Sequence, residues 1–235
     1  MDFSALNEAG LNLQAVLDLD ALPLALRNGI DPGHRYRQLI LIGHGGRILW
    51  EQVQAAGLQS EHPIDDFSCT IVKAWLAAQW PERAFVIAYP GGDAVDLQAL
   101  GKQAGWHHDS PFRVGINAVW GTWYAYRVLV LADTCLAPSP RVDGESPCLA
   151  CSGRPCITAC PGDALAEADF SLQKCVAYRR QPESLCRATC VARTMCPVRP
   201  EHRYPDAQIA HSYLRSLAMI EQYERASPDH PATKR

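Results

Sequence analysis

Eight of the ten cysteines fall between Cys148 and Cys196, and their spacing limits what the chain can fold into more than any other feature. CLACSGRPCITACPGDAL holds Cys148-x2-Cys151-x4-Cys156-x3-Cys160-Pro161. The stretch after it holds Cys175-x10-Cys186-x3-Cys190-x5-Cys196-Pro197. The N-terminus, MDFSALNEAG, has early acids and no basic segment before an apolar core. It therefore does not read as a secretory signal, and a reducing, cytoplasmic setting is expected. In such a setting clustered cysteines bind metal or do redox chemistry more often than they form disulfides. Cys69 and Cys135 stand apart and read as ordinary buried thiols rather than ligands.

The x2 and x3 gaps give a loop tight enough to present several thiolates to one centre, and the proline after the last cysteine turns the chain away. A bacterial ferredoxin run is C-x2-C-x2-C-x3-C-P, with the fourth cysteine serving the neighbouring cluster. Here the middle gap is two residues longer, and SGRP can bulge outward without moving the flanking cysteines. In the second stretch Pro182 suits the first turn of a helix, which would put Cys186 and Cys190 on one face at i, i+4. Eight cysteines with two Cys-Pro ends point to two 4Fe–4S clusters. The competing reading is a pair of four-thiolate structural zinc sites, which the Cys148/Cys151 and Cys186/Cys190 pairs would satisfy but which does not call for Cys-Pro ends. Because the cysteine before proline leaves its own loop, the expected partition is Cys148, Cys151, Cys156 and Cys196 on one cluster. Cys160, Cys175, Cys186 and Cys190 would hold the other. Six basic residues (Arg154, Lys174, Arg179, Arg180, Arg187, Arg193) lie in the same stretch. They are either a solvated face or an offset to cluster charge.

The preceding part of the chain is poor in cysteine and mixes strand and helix patterns. Leu11, Leu13, Val16 and Leu17 predict short helical pieces. RQLILIGHGG reads as a buried strand, ILWEQVQAAG as a helix with a glycine stop, and a helix capped at Asp65 or Asp66 runs to Trp80. AFVIAYP is a second strand, a short helix spans about 95–105, and 115–132 reads as two paired strands or one bent one. The expected organisation is an α+β fold: a mixed α/β domain over 1–135, a Pro/Ser/Gly-rich linker at 136–147, a small two-cluster domain over 148–204, a C-terminal helix at 205–226 and a disordered tail at 227–235. A net charge of -3 gives no global attraction to nucleic acid or anionic membrane. No apolar run is long enough to span a bilayer, Arg127 interrupting the most hydrophobic stretch. Neither membrane nor nucleic acid is expected as a partner.

The cysteine segment resembles the dicluster ferredoxin domain of epoxyqueuosine reductase, where a long gap and a lone Cys-x-x-Tyr segment, here Cys175-Val176-Ala177-Tyr178, also separate two Cys-Pro ends. Gly121-Thr122-Trp123-Tyr124-Ala125-Tyr126-Arg127 is similar to the Gly-Gly-Trp-Phe-Ala-x-Arg strand of cobalamin-processing proteins of the CblC type. Both resemblances imply a nitroreductase-like N-terminal domain holding a corrinoid or a flavin, and a ferredoxin-like two-cluster domain after it. No counterpart of the reductase's acidic catalytic residue is found, which speaks against queuosine chemistry.

The function expected is electron transfer through two 4Fe–4S clusters to cobalamin or FMN in the N-terminal domain, as in an iron–sulfur-dependent reductase with a small-molecule or corrinoid substrate. The donor would be a ferredoxin, a flavodoxin or a reductase. A plain electron carrier and a corrinoid-trafficking protein are the alternatives. Trp120, Gly121, Thr122 and Trp123 are candidates to line the cofactor site or to be core. His107 and His108 are candidate cofactor contacts or a surface pair. Gly43 to Gly46 either cradle phosphate or form a tight turn.

Overall fold

The computed structural model describes residues 1–91, 95–166 and 169–226. Its elements in chain order are α1 (Ser4–Glu8), β1 (Leu13–Asp18), α2 (Leu24–Ile30), β2 (Gln38–Gly45), α3 (Ile48–Ala56), α4 (Pro63–Gln79), β3 (Phe85–Tyr89), α5 (Leu97–Ala104), β4 (Tyr124–Ala132), α6 (Pro155–Thr158), α7 (Leu172–Arg179), α8 (Val191–Thr194) and α9 (Asp206–Ala226). The chain divides into two compact units, one of residues 1–108 and 123–145, the other of 109–122 and 146–235. The sequence boundary at 136–147 keeps 109–122 with the first part. In the structure Phe112 and Ile116 of that segment sit in an apolar cluster with Cys156, Leu165, Ala192 and Cys196, which places it in the second unit.

All eight residues of β2 are buried, as an interior strand covered on both faces requires. It is second in a four-stranded antiparallel sheet of order β1-β2-β4-β3, giving a mixed α/β fold. Ile40, Ile42, Val128 and Val130 point into the main core with Trp75, Leu76, Val72 and Leu49 from the helices. The helix ends follow ordinary chemistry. Pro63 opens α4 with Asp65 and Asp66 in its first turn, where the helix dipole favours acids. The Asp96 carboxylate accepts from the Ala99 amide at 2.8 Å and caps α5. Gly105 ends α5 in the left-handed region, φ 75°, where a Cβ would lie 1.9 Å from the Val142 carbonyl oxygen.

Three expectations need correction. Residues 13–18 form a strand, β1, not a helix: their register runs from Leu13↔Gly43 to Asp18↔Gln38, and pairing with β2 outweighs the helical spacing of the leucines. Residues 115–132 give one strand, β4, preceded by a turn closed by the Asn117–Gly121 bridge. Residues 181–190 form turns rather than a helix, and Cys190 has extended backbone (φ -127°, ψ 109°) at the start of α8. The expected C-terminal helix is α9, and the expected tail at 227–235 lies outside the described residues. No helix among the described residues is long and apolar enough to cross a membrane.

Candidate functional site

Within the second unit the eight clustered cysteines line two separate cavities. Cys148, Cys151, Cys156 and Cys196 surround one of about 20 Å³, with Pro111, Ile116 and Val198 completing its wall. Cys160, Cys175, Cys186 and Cys190 line the other, of about 190 Å³, with Phe170, Leu172 and Tyr213 among its apolar neighbours. Phe112 lines both. Cys160 belongs by sequence to the first motif yet faces the second cavity, while Cys196 from the second motif faces the first.

Local backbone explains the placement. Arg154 adopts φ 35° and Pro155 opens the single turn of α6, so the chain curls between Cys151 and Cys156. The Cys160 amide donates to the Ile157 carbonyl at 3.2 Å, ending that turn as the chain passes to the other cavity. Cys175 projects from α7. The Cys186 amide donates to Ser184 Oγ at 3.1 Å, and Cys190 starts α8. The two cysteines thus share a cavity through a turn rather than a helical face.

The thiols are unlike free cysteine. Burial pushes Cys175 up to about 11, with the neighbouring Cys190 adding to the shift and Arg179 opposing it. Burial likewise raises Cys148, Cys156, Cys186, Cys190 and Cys196, and other thiols of the same set contribute in each case. Four thiolates crowded in an apolar wall need cationic charge among them before they can ionise together. Among the described residues no three His, Cys, Asp or Glu side chains converge on a point where a single ion could sit. The wider cavity leaves more room among its four cysteines than a single zinc ion needs, which suits a polynuclear iron–sulfur cluster. The donor set fits that group: four sulfurs, no His, Asp or Glu among the described lining residues, and a largely apolar surround.

The basic residues of this stretch divide. Lys174, Arg154, Arg180 and Arg187 are exposed, as a solvated face would be, whereas Arg179 and Arg193 are buried. Arg193 donates to the Thr122 carbonyl and lies over the Tyr204 ring, 5.3 Å from its centroid.

The other candidates are dispersed. Trp120, Gly121 and Thr122 belong to the second unit and Trp123 to the first. Trp120 is half-buried against His202, ring centroids 4.5 Å apart, and Trp123 is 1% exposed. Gly121 has a structural reason for being glycine: φ is 58° and a Cβ would lie 2.2 Å from the Val198 carbonyl oxygen. His107 is buried in the first unit, its Nδ1 3.1 Å from the Tyr126 hydroxyl, while His108 is half-buried. The backbone amides that a phosphate would need at Gly43–Gly46 are engaged: that of Gly45 donates to Asn12 Oδ1 at 2.8 Å and that of Gly46 to the Trp123 carbonyl at 2.9 Å. Sequence reasoning missed a polar group in the first unit, in which Arg127 Nε donates to the buried His44 Nδ1 at 3.0 Å and Nη1 stands 3.7 Å from Asp65. It also missed Phe112, which no local period marks, and Tyr213, which shares the helical period of Ile209 and Leu217 in α9.

No family model and no curated protein matches the sequence. Solved structures do. The epoxyqueuosine reductase of Streptococcus thermophilus superposes with a TM-score of 0.50 at 14% identity, over 85% of this chain and 65% of that one. The fold is similar to that of epoxyqueuosine reductase. The Bacillus subtilis enzyme gives a TM-score of 0.54 at 11% identity, over 86% of this chain. A reductase solved with an epoxyqueuosine-modified tRNA-Tyr stem loop gives the same score and identity, over 87%. The present chain spans 65–66% of the length of these proteins.

Proposed function

We propose that the chain is an iron–sulfur redox protein in which Cys160, Cys175, Cys186 and Cys190 hold one 4Fe–4S cluster and Cys148, Cys151, Cys156 and Cys196 hold a second. The observation that carries this is the exchange of Cys160 and Cys196 between motifs, which leaves four thiols at each of two cavities and no His, Asp or Glu among the described residues of either wall. The roomier cavity supports the claim of a cluster most directly, and the tighter one repeats its donor set. When bound, such clusters take up and release single electrons. The protein's own residues supply thiolate ligands, exclude water through Phe112, Ile116, Phe170 and Leu172, and bring buried guanidinium charge to the sites.

The acceptor proposed is a corrinoid or flavin held by the first unit, a reading supported by the resemblance of Gly121–Arg127 to corrinoid-handling strands. The burial of Trp123 and the left-handed turn at Gly121 favour core and turn roles for those two residues over a cofactor wall. The reductase solved with a tRNA stem loop weighs against the sequence-based expectation that nucleic acid plays no part, so a nucleic-acid-linked substrate belongs in this proposal. The test is anaerobic purification followed by dithionite reduction. A broad visible band that bleaches on reduction supports the reading, and a colourless protein that stays so after iron and sulfide reconstitution overturns it. Titration with cobalamins, FMN and a tRNA stem loop, read by quenching of tryptophan fluorescence, then sorts the acceptors.

A further inference from the structure

A guanidinium is always charged, and burying one without an anion costs several kcal/mol. Arg179 is 6% exposed and lines the cavity of Cys160, Cys175, Cys186 and Cys190. Its partners are all neutral. Nε donates to the Cys186 carbonyl at 3.3 Å, Nη1 to Ser216 Oγ at 3.4 Å and Nη2 to the Tyr213 carbonyl at 2.6 Å. The guanidinium carbon also lies 5.5 Å from the centroid of the Tyr213 ring. Among the described residues no carboxylate pairs with it. The anion that offsets this charge would therefore come from the cavity itself, whose four cysteines carry negative charge once they ligate a cluster.

The other cavity lacks an equivalent. Its arginine, Arg154, is exposed, so water and salt screen it. Arg193 lies beside both sets, through Cys190 and Cys196, so its charge acts on each. Arg179 is thus the buried arginine that lines one cavity and not the other, pinned to α7 at its root and to α9 at its head.

We propose that Arg179 is the resident counter-charge of the Cys160/Cys175/Cys186/Cys190 site and makes it the site of higher reduction potential, the first of the two to accept an electron. The inference rests on the iron–sulfur reading above. Each site takes one electron from the reductant, and no bond is made or broken. A fixed positive charge stabilises the extra negative charge of the reduced state, and more strongly in a low-dielectric wall.

The test is an anaerobic redox titration with dithionite, followed by visible absorbance and electron paramagnetic resonance, on wild type, Arg179→Met and Arg179→Lys. Iron and sulfide are measured first in each sample. A wild-type chain that holds no iron and sulfide overturns the underlying cluster reading, not the role of Arg179 alone. With clusters present, Arg179→Met should shift the reduced-to-oxidised ratio of the higher step against reduction by on the order of tenfold, which for a one-electron couple is about 59 mV. The lower step should stay in place. Arg179→Lys, which keeps the charge but not the fork, should hold the higher step within about threefold of wild type. An unmoved higher step in Arg179→Met, or a shift confined to the lower step, overturns the proposal. Should Arg179→Met fail to retain its clusters, Arg179→Lys decides: a shift of about tenfold or more despite the retained charge overturns the proposal, and a smaller one supports it.

Discussion

Replacing Gly121 by alanine separates two readings of the Gly121–Arg127 motif. In the structure Gly121 has φ 58°, and its amide and carbonyl both bond Asn117, each at 3.0 Å, so the turn holds that conformation. Alanine in the left-handed region costs about 1–2 kcal/mol. Its Cβ would sit 2.2 Å from the Val198 carbonyl oxygen and 3.1 Å from the Val198 carbonyl carbon. These are backbone atoms two residues after Cys196, and they cannot swing aside as a side chain could. Overpacking of this kind costs a further 1–3 kcal/mol or so. The loss of unfolded-state entropy on changing glycine to alanine returns about 0.4–1 kcal/mol. The net expectation is destabilisation of roughly 2–4 kcal/mol, a change of about 30-fold or more in the folded-to-unfolded ratio. Urea unfolding followed by far-ultraviolet circular dichroism measures it. Gly153→Ala is the control, since a Cβ there meets nothing within 4 Å. If Gly121→Ala keeps wild-type stability to within about 0.5 kcal/mol and instead loses affinity for cobalamin or FMN, the turn argument is wrong and the cofactor reading of this glycine is right.

Cys160→Ala should abolish occupancy of the Cys160/Cys175/Cys186/Cys190 site while sparing the Cys148/Cys151/Cys156/Cys196 site, about halving iron per chain, and the reverse loss would refute the partition. Gln38→Ala should destabilise the first unit by about 1–3 kcal/mol, because it strips the buried Thr134 Oγ1 of its acceptor and the half-buried Leu136 N and O of their partners; calorimetry of the variant checks this. Burial raises the Tyr126 phenol above its ordinary value of 10.0. The unfolded chain therefore ionises first, and the stability this group contributes is full below that value and is lost as pH climbs above it. The urea midpoint should fall from about pH 9 to about pH 11, and Tyr126→Phe should flatten that fall.

How much was legible depended on whether the signal was local. The strand Gln38–Gly45 and the helix ending at Gly57 carry their own punctuation, and the structure has them where the residues predict; the next helix ends as expected but opens at Pro63, with Asp65 and Asp66 inside its first turn rather than at the cap. β1 was not legible, because Leu13–Asp18 becomes a strand only through its partner β2, and the leucine spacing alone favours a helix. The spacing of Cys186 and Cys190 predicts a shared centre, but by way of a helical face that the structure does not form. Proline at 182 permits a helix, whereas the structure brings both thiols to one cavity through turns. The burial of Arg179 and Arg193, unlike their four exposed neighbours, follows from α9 and the Thr122 segment folding onto them, contacts that no spacing within 148–196 records. Phe112 was invisible for the same reason: it reaches both cysteine sets from more than thirty residues upstream.

The central claim is tested most directly by counting iron, acid-labile sulfide and zinc in protein purified without oxygen. Two four-cysteine cavities, each holding a 4Fe–4S cluster, predict about eight iron and eight sulfide per chain and no zinc. Two zinc per chain, with neither iron nor sulfide, would contradict the account.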